Sequence, residues 1–478
     1  MTHFRVQDFL DRQRIRSIHI VVLALCAAIM FVDGLDIFMV GKIAPAIAAG
    51  MGEAPSAMTR VFVAQQIGLA LGAFMATPFA DRFGRRTTII ACAGCFGALT
   101  VMSAFATSLW QLAVLRGLAG IFLSGVLPMA VALVAEVTPR YRRGTFIAIA
   151  MMGYSLGNAA GGAVAAWLID LYGWQSGFWI GGLMPLAMIP IMLMFLPESI
   201  QFLAGRNARH PRIPAILGRF DPHMDLKGDE VFLAGDSASP GTKSNPLEIF
   251  RGGRAGASVI LWLVCFLSMG NIALLAAWLP TFFQEKAGVP IQQFALYAMI
   301  AYSGGLAGTL AVGWLLDRCS PARLIATIYV LQSLCIASLG QLAFGGIGFV
   351  GLFIAFSCFQ TGGQAALNLL LAQSYPAAIR TTGIGWAGGM GRIGGIVGPL
   401  LGGIAVAADI SLAFTLTLVA VPPLIVAIVI SFLSRTGMDR PLLPEDPSTQ
   451  PDRALHRPAA ASASRSRSPA PSAPSARQ

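Results

Sequence analysis

Apolar residues run in blocks of roughly 20 along most of this chain, with short polar stretches between them. A block of that length crosses the hydrocarbon core of a bilayer as a helix. Within lipid an open chain has no other way to bond its own backbone. The pattern predicts twelve spans, near residues 18–42, 58–80, 87–106, 109–135, 143–169, 174–196, 255–282, 291–316, 321–342, 345–373, 378–406 and 409–434. The expected fold class is therefore an all-α membrane protein. A long break at 197–254 mixes charge, Pro and Gly and leaves room for short helices. It divides the chain into an N-terminal segment (1–17), a first six-helix half (18–196), a central loop (197–254), a second six-helix half (255–434) and a tail (435–478). The tail, rich in Pro, Ala, Ser and Arg, is expected to be disordered.

Composition strengthens this picture. Hydrophobic residues make up 56% of the chain and charged residues only 12%, at a mean hydropathy of +0.70; a soluble domain carries about 25% charged residues. The first apolar run is too long for a cleavable signal peptide and contains two aspartates. The net charge of +11 does not point to nucleic acid once its distribution is considered. With loops assigned alternately to two sides, Lys42, Arg60, Arg116, Lys286 and Arg392 are the exceptions among 33 Lys and Arg; the rest fall on the side that holds both termini. Cytoplasmic loops carry that excess, so both termini are expected in the cytoplasm. The seven cysteines lie in or beside apolar segments, and Cys92 and Cys95 sit in a span without a histidine or a second pair, which reads as packing. Neither a metal nor a cofactor is expected.

The two halves repeat weakly at an offset of about 237 residues. ADRFGRR (80–86) answers LDRCSPAR (316–323), TPRYRRG (138–144) answers YPAAIRTTG (375–383), and GNAAGG (157–162) falls opposite GGIVGP (394–399). Duplicated halves around a central loop describe an alternating-access transporter with its binding site between the halves near mid-membrane.

Several motifs resemble the major facilitator superfamily, and within it the aromatic acid:proton symporter family. They are DGLD (33–36), ATPFADRFGRR (76–86), RGLAGIFLSGVLP (116–128), PESIQFL (197–203), IFRGGRA (249–255) and the long block from Gly362 to Gly403. The resemblance covers about residues 18–434 and departs at Thr77, Phe122 and Ser124, where the family has glycines, and at Gln373, where it has an acid. It implies the major facilitator fold and proton-coupled import of small aromatic carboxylates such as hydroxybenzoates. It further implies a multi-pass protein of the bacterial inner membrane that works as a single copy. A sugar or other organic solute is the alternative cargo, since PES after the sixth span and the E-x6-R spacing are shared with sugar porters. A non-transporting sensor would need an appended signalling domain, and an enzyme would need a reactive cluster; the sequence offers neither.

Charges inside the spans are the candidate chemistry, because an ionisable group in hydrocarbon is costly and functional by default. Asp33 and Asp36, three apart, share a helix face. With all five histidines at ends, in loops or in the tail, proton coupling falls to these carboxylates, and Arg116 joins them because it matches the start of a fourth-span motif that the resemblance links to proton transfer. The competing explanation for each is a fixed ion pair that sets packing. Arg392, about 18 Å into the eleventh span by helical rise, is the candidate clamp for a substrate carboxylate; its alternative is a permanent pair with Asp33 or Asp36. Lys42, near the predicted end of the first span, reads as a lysine that snorkels to the interface. For the ring slot the candidates are Tyr154, Trp278, Tyr302, Phe359 and Trp386. Asn158, Asn271, Gln360, Gln364 and Asn368 are its polar partners, with Gln364 and Asn368 ranked first because they are four apart on one face. Asp81, Arg82, Arg85, Arg86, Glu136, Arg143, Asp317, Arg318 and Arg380 read as a cytoplasmic gate, with Glu136 and Arg143 as its E-x6-R pair.

Overall fold

The protein is described by a computed structural model covering residues 2–220, 230–233, 255–316, 318, 320–375, 380–408 and 410–436. The central loop beyond these residues, the tail and the side chains of Asp81, Asp317 and Arg380 lie outside the described residues.

Twelve spans long and apolar enough to cross a membrane are present among the described residues. The first six are α2 (Ser17–Gly50), α3 (Thr59–Phe83), α4 (Arg85–Ser103), α5 (Leu109–Val137), α6 (Arg143–Tyr172) and α7 (Gln175–Phe195). The second six are α10 (Ala255–Ala287), α11 (Ile291–Leu316), α12 (Pro321–Leu339), α13 (Ile347–Ser374), α14 (Arg380–Ala407) and the pair α15 (Leu412–Val419) with α16 (Val421–Thr436). The break in the last span falls where two prolines, Pro422 and Pro423, follow Val421 and remove two backbone donors. The first span runs well beyond its predicted end at residue 42, because IAPAIAAG continues the apolar run past Lys42. Short helices α1 (Val6–Arg12), α8 (Ile200–Arg206) and α9 (Arg212–Phe220) lie outside the spans. So does a parallel strand pair, β1 (Thr2–Arg5) with β2 (Glu230–Leu233), which hydropathy does not reveal.

Each set of six packs in the same way. In the first, α2 lies on α6 and α3 on α5; in the second, α10 lies on α14 and α11 on α13. Small residues permit the approach. At Gly34 a Cβ would sit 2.2 Å from the Tyr154 carbonyl oxygen, so no larger residue fits between α2 and α6.

Three hydrophobic clusters explain how the two sets meet. One draws on residues 6–232 only and includes Val22, Ala80, Val134 and Leu196; another draws on 257–433 only and includes Leu261, Tyr329 and Leu371. Both belong to the face that carries the N-terminal segment, here the terminal face. The third is shared: Ile43, Ile47, Met58 and Phe62 pack with Leu274, Trp278, Phe282 and Phe294 on the opposite face. The sets are therefore sealed together on the opposite face and have separate cores on the terminal face. Burial of apolar side chains holds the seal, at about 1.5–3 kcal/mol for each fully buried large one.

Gly41 sits in that seal. A Cβ there would fall 2.2 Å from the Ala276 carbonyl oxygen, so α2 and α10 touch backbone to backbone. Gly41→Ala is expected to loosen the seal. The check is a cysteine at Ala44, buried in the seam, on a background without native cysteines. An impermeant thiol reagent added on the opposite face should label it faster in the Gly41→Ala protein than in its Gly41 parent.

Candidate functional site

A cavity of about 490 Å³ lies between the two sets, lined by α2, α3, α5, α6, α10, α13 and α14. That is within the usual range for a small-molecule site. It runs from mid-bundle residues such as Asp33, Phe38 and Gln65 to Pro128, Leu371 and Ile384, towards the terminal face.

The two aspartates of DGLD part company. Asp36 is fully buried and pairs with Arg116 through two parallel bonds: Nη1 to Oδ1 at 3.1 Å and Nη2 to Oδ2 at 2.7 Å. Thr100 donates to the same Oδ1 at 3.1 Å, and Arg116 Nε donates to Gln65 Oε1 at 3.3 Å. The Arg116 guanidinium also lies 5.8 Å from the centre of the Phe178 ring. Such a two-pronged, hydrogen-bonded pair offsets the desolvation of both charges. Asp36 and Arg116 are thus joined by α2, α4 and α5 within the first set and stand back from the cavity wall. Asp33, equally buried, lines the cavity, and its Oδ1 has no hydrogen-bond partner among the described residues.

Arg392 also lines the cavity. It makes no ion pair with Asp33 or Asp36; its Nη1 donates instead to the Leu69 carbonyl oxygen at 3.4 Å, across from α14 to α3. Beside it Gln66 Nε2 donates to the Gly395 carbonyl oxygen at 2.9 Å, a second bond between the sets. Gln364 and Asn368 line the same cavity and are joined at 3.2 Å. Phe38 and Tyr154, in edge contact at 5.7 Å, and Phe62, Ile37, Met269 and Ile272 give the remainder an apolar, partly aromatic surface.

The other ring-slot candidates lie off the cavity. Trp278 is fully buried behind it, donating to the Pro399 carbonyl oxygen at 2.8 Å and meeting Phe62 edge-on at 5.0 Å. Asn271 donates to the Val419 carbonyl oxygen at 2.8 Å, and Trp386 stacks on Trp262 at 5.2 Å. Phe359 packs between core clusters, and Gln360 does not border the cavity. Tyr302 and Asn158 hydrogen-bond each other between α11 and α6. Lys42 belongs to them and does not snorkel: it is 7% exposed, donates to Asn158 Oδ1 at 3.0 Å and to the Asn158 carbonyl, and lies 5.7 Å from the centre of the Tyr302 ring. The extension of α2 beyond residue 42 carries Lys42 inside, where amide, carbonyl and ring replace water.

The gate residues on the terminal face are also rewired. Glu136 pairs with Arg85 and accepts from Ser199, while Arg143 pairs with Asp11 of α1, so the E-x6-R partners do not meet. Six intervening residues include the turn from α5 into α6, which parts them. Arg86 and Thr87 donate their backbone N–H groups to Glu198 at 2.9 and 3.4 Å, placing a carboxylate at the positive start of α4. Arg86 also reaches the Leu193 carbonyl, the Arg82 carbonyl accepts from Arg206 at 3.1 Å, and Arg318 stacks on Trp314 at 3.8 Å. Asp11 and Glu198 were absent from the candidates, although Glu198 lay in a motif already singled out; Asp11 gives no sequence signal beyond its charge.

The chain matches the model of the Major Facilitator Superfamily over residues 26–399. It is 36% identical to the gallate transporter of Pseudomonas putida over 431 residues, covering 89% of this chain and 94% of that protein. It is 32% identical to the 4-hydroxybenzoate transporter of Acinetobacter baylyi, covering 85% and 89%. Among solved structures it resembles the inward-open xylose transporter of E. coli, with a TM-score of 0.67 at 16% identity over 86% of this chain and 96% of that one. It also resembles an inward-facing, occupied bacterial homologue of the human lysosomal transporter Spinster, with a TM-score of 0.68 at 16% identity over 91% and 100%.

Proposed function

The chain belongs to the Major Facilitator Superfamily, and on that premise we propose that it imports small aromatic carboxylates of the hydroxybenzoate class together with protons, by alternating access. The observation that carries the reading is the pairing of opposites across one cavity. Arg392 lines it without an ion-pair partner among the described residues, and Asp33 lines it with an unpartnered oxygen. A carboxylate presented to Arg392 replaces the long bond to Leu69 with two short charge-assisted ones. The ring then lies against Phe38, Tyr154 and Phe62.

Asp36 is committed to Arg116, so the proton falls to Asp33. Protonation there and release of Arg392 from Leu69 act on opposite walls of one cavity, which is where coupling has to occur. With the terminal face in the cytoplasm, the present arrangement is inward-facing: sealed outside by the shared cluster and open within. The Arg85–Glu136 and Arg143–Asp11 pairs hold elements of the first set together as it moves. The site sits in the inner membrane of a bacterium, and one copy of the chain suffices.

Asp33→Asn separates the two events. It is expected to abolish uphill accumulation driven by an inward proton gradient while leaving exchange of labelled for unlabelled 4-hydroxybenzoate within a few-fold of wild type. Equal accumulation by wild type and Asp33→Asn, at equal protein, would remove Asp33 from the proton path.

A further inference from the structure

Asn368 stands at the end of a chain of side chains that begins outside the cavity. The Tyr329 hydroxyl of α12 and Ser268 Oγ of α10 are 2.7 Å apart, both buried. Ser268 donates to Gln364 Oε1 at 2.8 Å, and Gln364 Nε2 donates to Asn368 Oδ1 at 3.2 Å. Neither Tyr329 nor Ser268 borders the cavity; Gln364 and Asn368 do.

We propose that Tyr329 and Ser268 are positioning residues that fix which hydrogen-bonding edge Asn368 presents, so that it offers an N–H donor to the cavity that Arg392 also lines and the cavity selects a carboxylate. The inference rests on the aromatic acid reading above and deepens it.

The direction of the relay follows from counting hydrogens. A serine hydroxyl has one hydrogen to give. When Ser268 spends it on Gln364, Tyr329 must be the donor to Ser268, and every group in the buried part is satisfied. The reverse order turns both amides over: Asn368 donates to Gln364, Gln364 to Ser268, and Ser268 to Tyr329. That order presents the Asn368 carbonyl to the cavity and leaves one hydroxyl hydrogen without an acceptor in the relay: that of Tyr329, or that of Ser268 where Ser268 accepts from both Tyr329 and Gln364. A stranded buried donor biases the choice against it by about tenfold or more. The Asn368 amide nitrogen is thereby directed to the cavity, where Arg392 is also a donor and cannot accept. In this cavity a carboxylate, whose oxygens only accept, meets donors from both residues. A neutral amide in its place brings N–H groups that have no acceptor there.

The test compares inhibition of labelled 4-hydroxybenzoate uptake by unlabelled 4-hydroxybenzoate and by 4-hydroxybenzamide, in proteoliposomes holding equal amounts of wild type, Tyr329→Phe, Ser268→Ala or Ser268→Thr. Without the polarising donor the amides turn freely, so the inhibition constant for the acid should rise about fivefold to tenfold and that for the amide should change little or fall. The amide-to-acid ratio should therefore drop in Tyr329→Phe and Ser268→Ala. Ser268→Thr, which keeps the hydroxyl, should restore the wild-type ratio even where Tyr329→Phe folds poorly. General damage to the bundle would raise both constants together. An unchanged ratio in Ser268→Ala, with wild-type uptake intact, overturns the relay alone. Absence of aromatic acid uptake by wild type overturns the functional reading, and the relay with it.

Discussion

Asp36→Asn is expected to cost this protein about 3–5 kcal/mol of stability. The substitution keeps the shape of the side chain and removes its charge. Arg116 would then be a fully buried cation whose two bonds to Asp36 at 3.1 and 2.7 Å have lost their counter-charge. Gln65 and Thr100, its other neighbours, are neutral and cannot replace it. Thermal unfolding of the purified protein in detergent should report a clear fall in melting temperature. Removing both charges together, with Asp36→Asn and Arg116→Gln, should recover much of the loss, since breaking a buried pair is costlier than deleting it. A single variant as stable as wild type would mean that the pair is not the anchor joining α2 to α5. The comparison also separates the two aspartates: Asp33→Asn, with no cation to strand, should unfold near the wild-type temperature.

Arg392→Ala should produce the largest loss of substrate affinity. A charge-assisted hydrogen bond contributes about 1.5–3 kcal/mol, so KM for an aromatic acid should rise roughly 10- to 100-fold. Arg392→Lys should recover part of this, because a lysine keeps the charge and loses the planar fork. The substrate-free structure adds a second consequence. Arg392 and Gln66 both bond across to the facing set, at Leu69 and Gly395, so Arg392→Ala also removes a link between α14 and α3. Initial rates over a range of 4-hydroxybenzoate concentrations would separate these effects, with the substrate clamp appearing in KM and the link in the maximal rate. An unchanged KM would place the carboxylate elsewhere.

The twelve spans were legible in the sequence because hydropathy over about 20 residues is a local property, and a charge inside such a block stands out at once. That is how Asp33, Asp36, Arg116 and Arg392 became candidates. Which charge meets which was not legible. Asp36 and Arg116 are 80 positions apart, and helical spacing on α2 alone cannot tell that one aspartate turns to α5 and the other to the cavity. The same limit produced the expected Glu136–Arg143 pair, which the turn between α5 and α6 separates in favour of Arg85 and Asp11. Lys42 departs from its expected place at the interface for a different reason. A lysine near an assumed helix end reads as an interface anchor, but α2 continues to Gly50 and buries it against Asn158. Aromatic residues are the least informative candidates: Tyr154 lines the cavity while Trp278 stands behind it, and nothing in their local sequence distinguishes a lining ring from a backing one. Ser268 and Tyr329 gave no signal, since one serine and one tyrosine in apolar helices acquire meaning only when α10, α12 and α13 bring them to Gln364.

Proton-coupled import is tested most directly by uptake of radiolabelled 4-hydroxybenzoate into proteoliposomes of the purified protein, with and without an inward proton gradient. The expected result is accumulation above equilibrium under the gradient, collapse to equilibration when a protonophore is added, and competition by unlabelled gallate or benzoate. Failure to take up any aromatic acid, or uptake indifferent to the proton gradient, would contradict it.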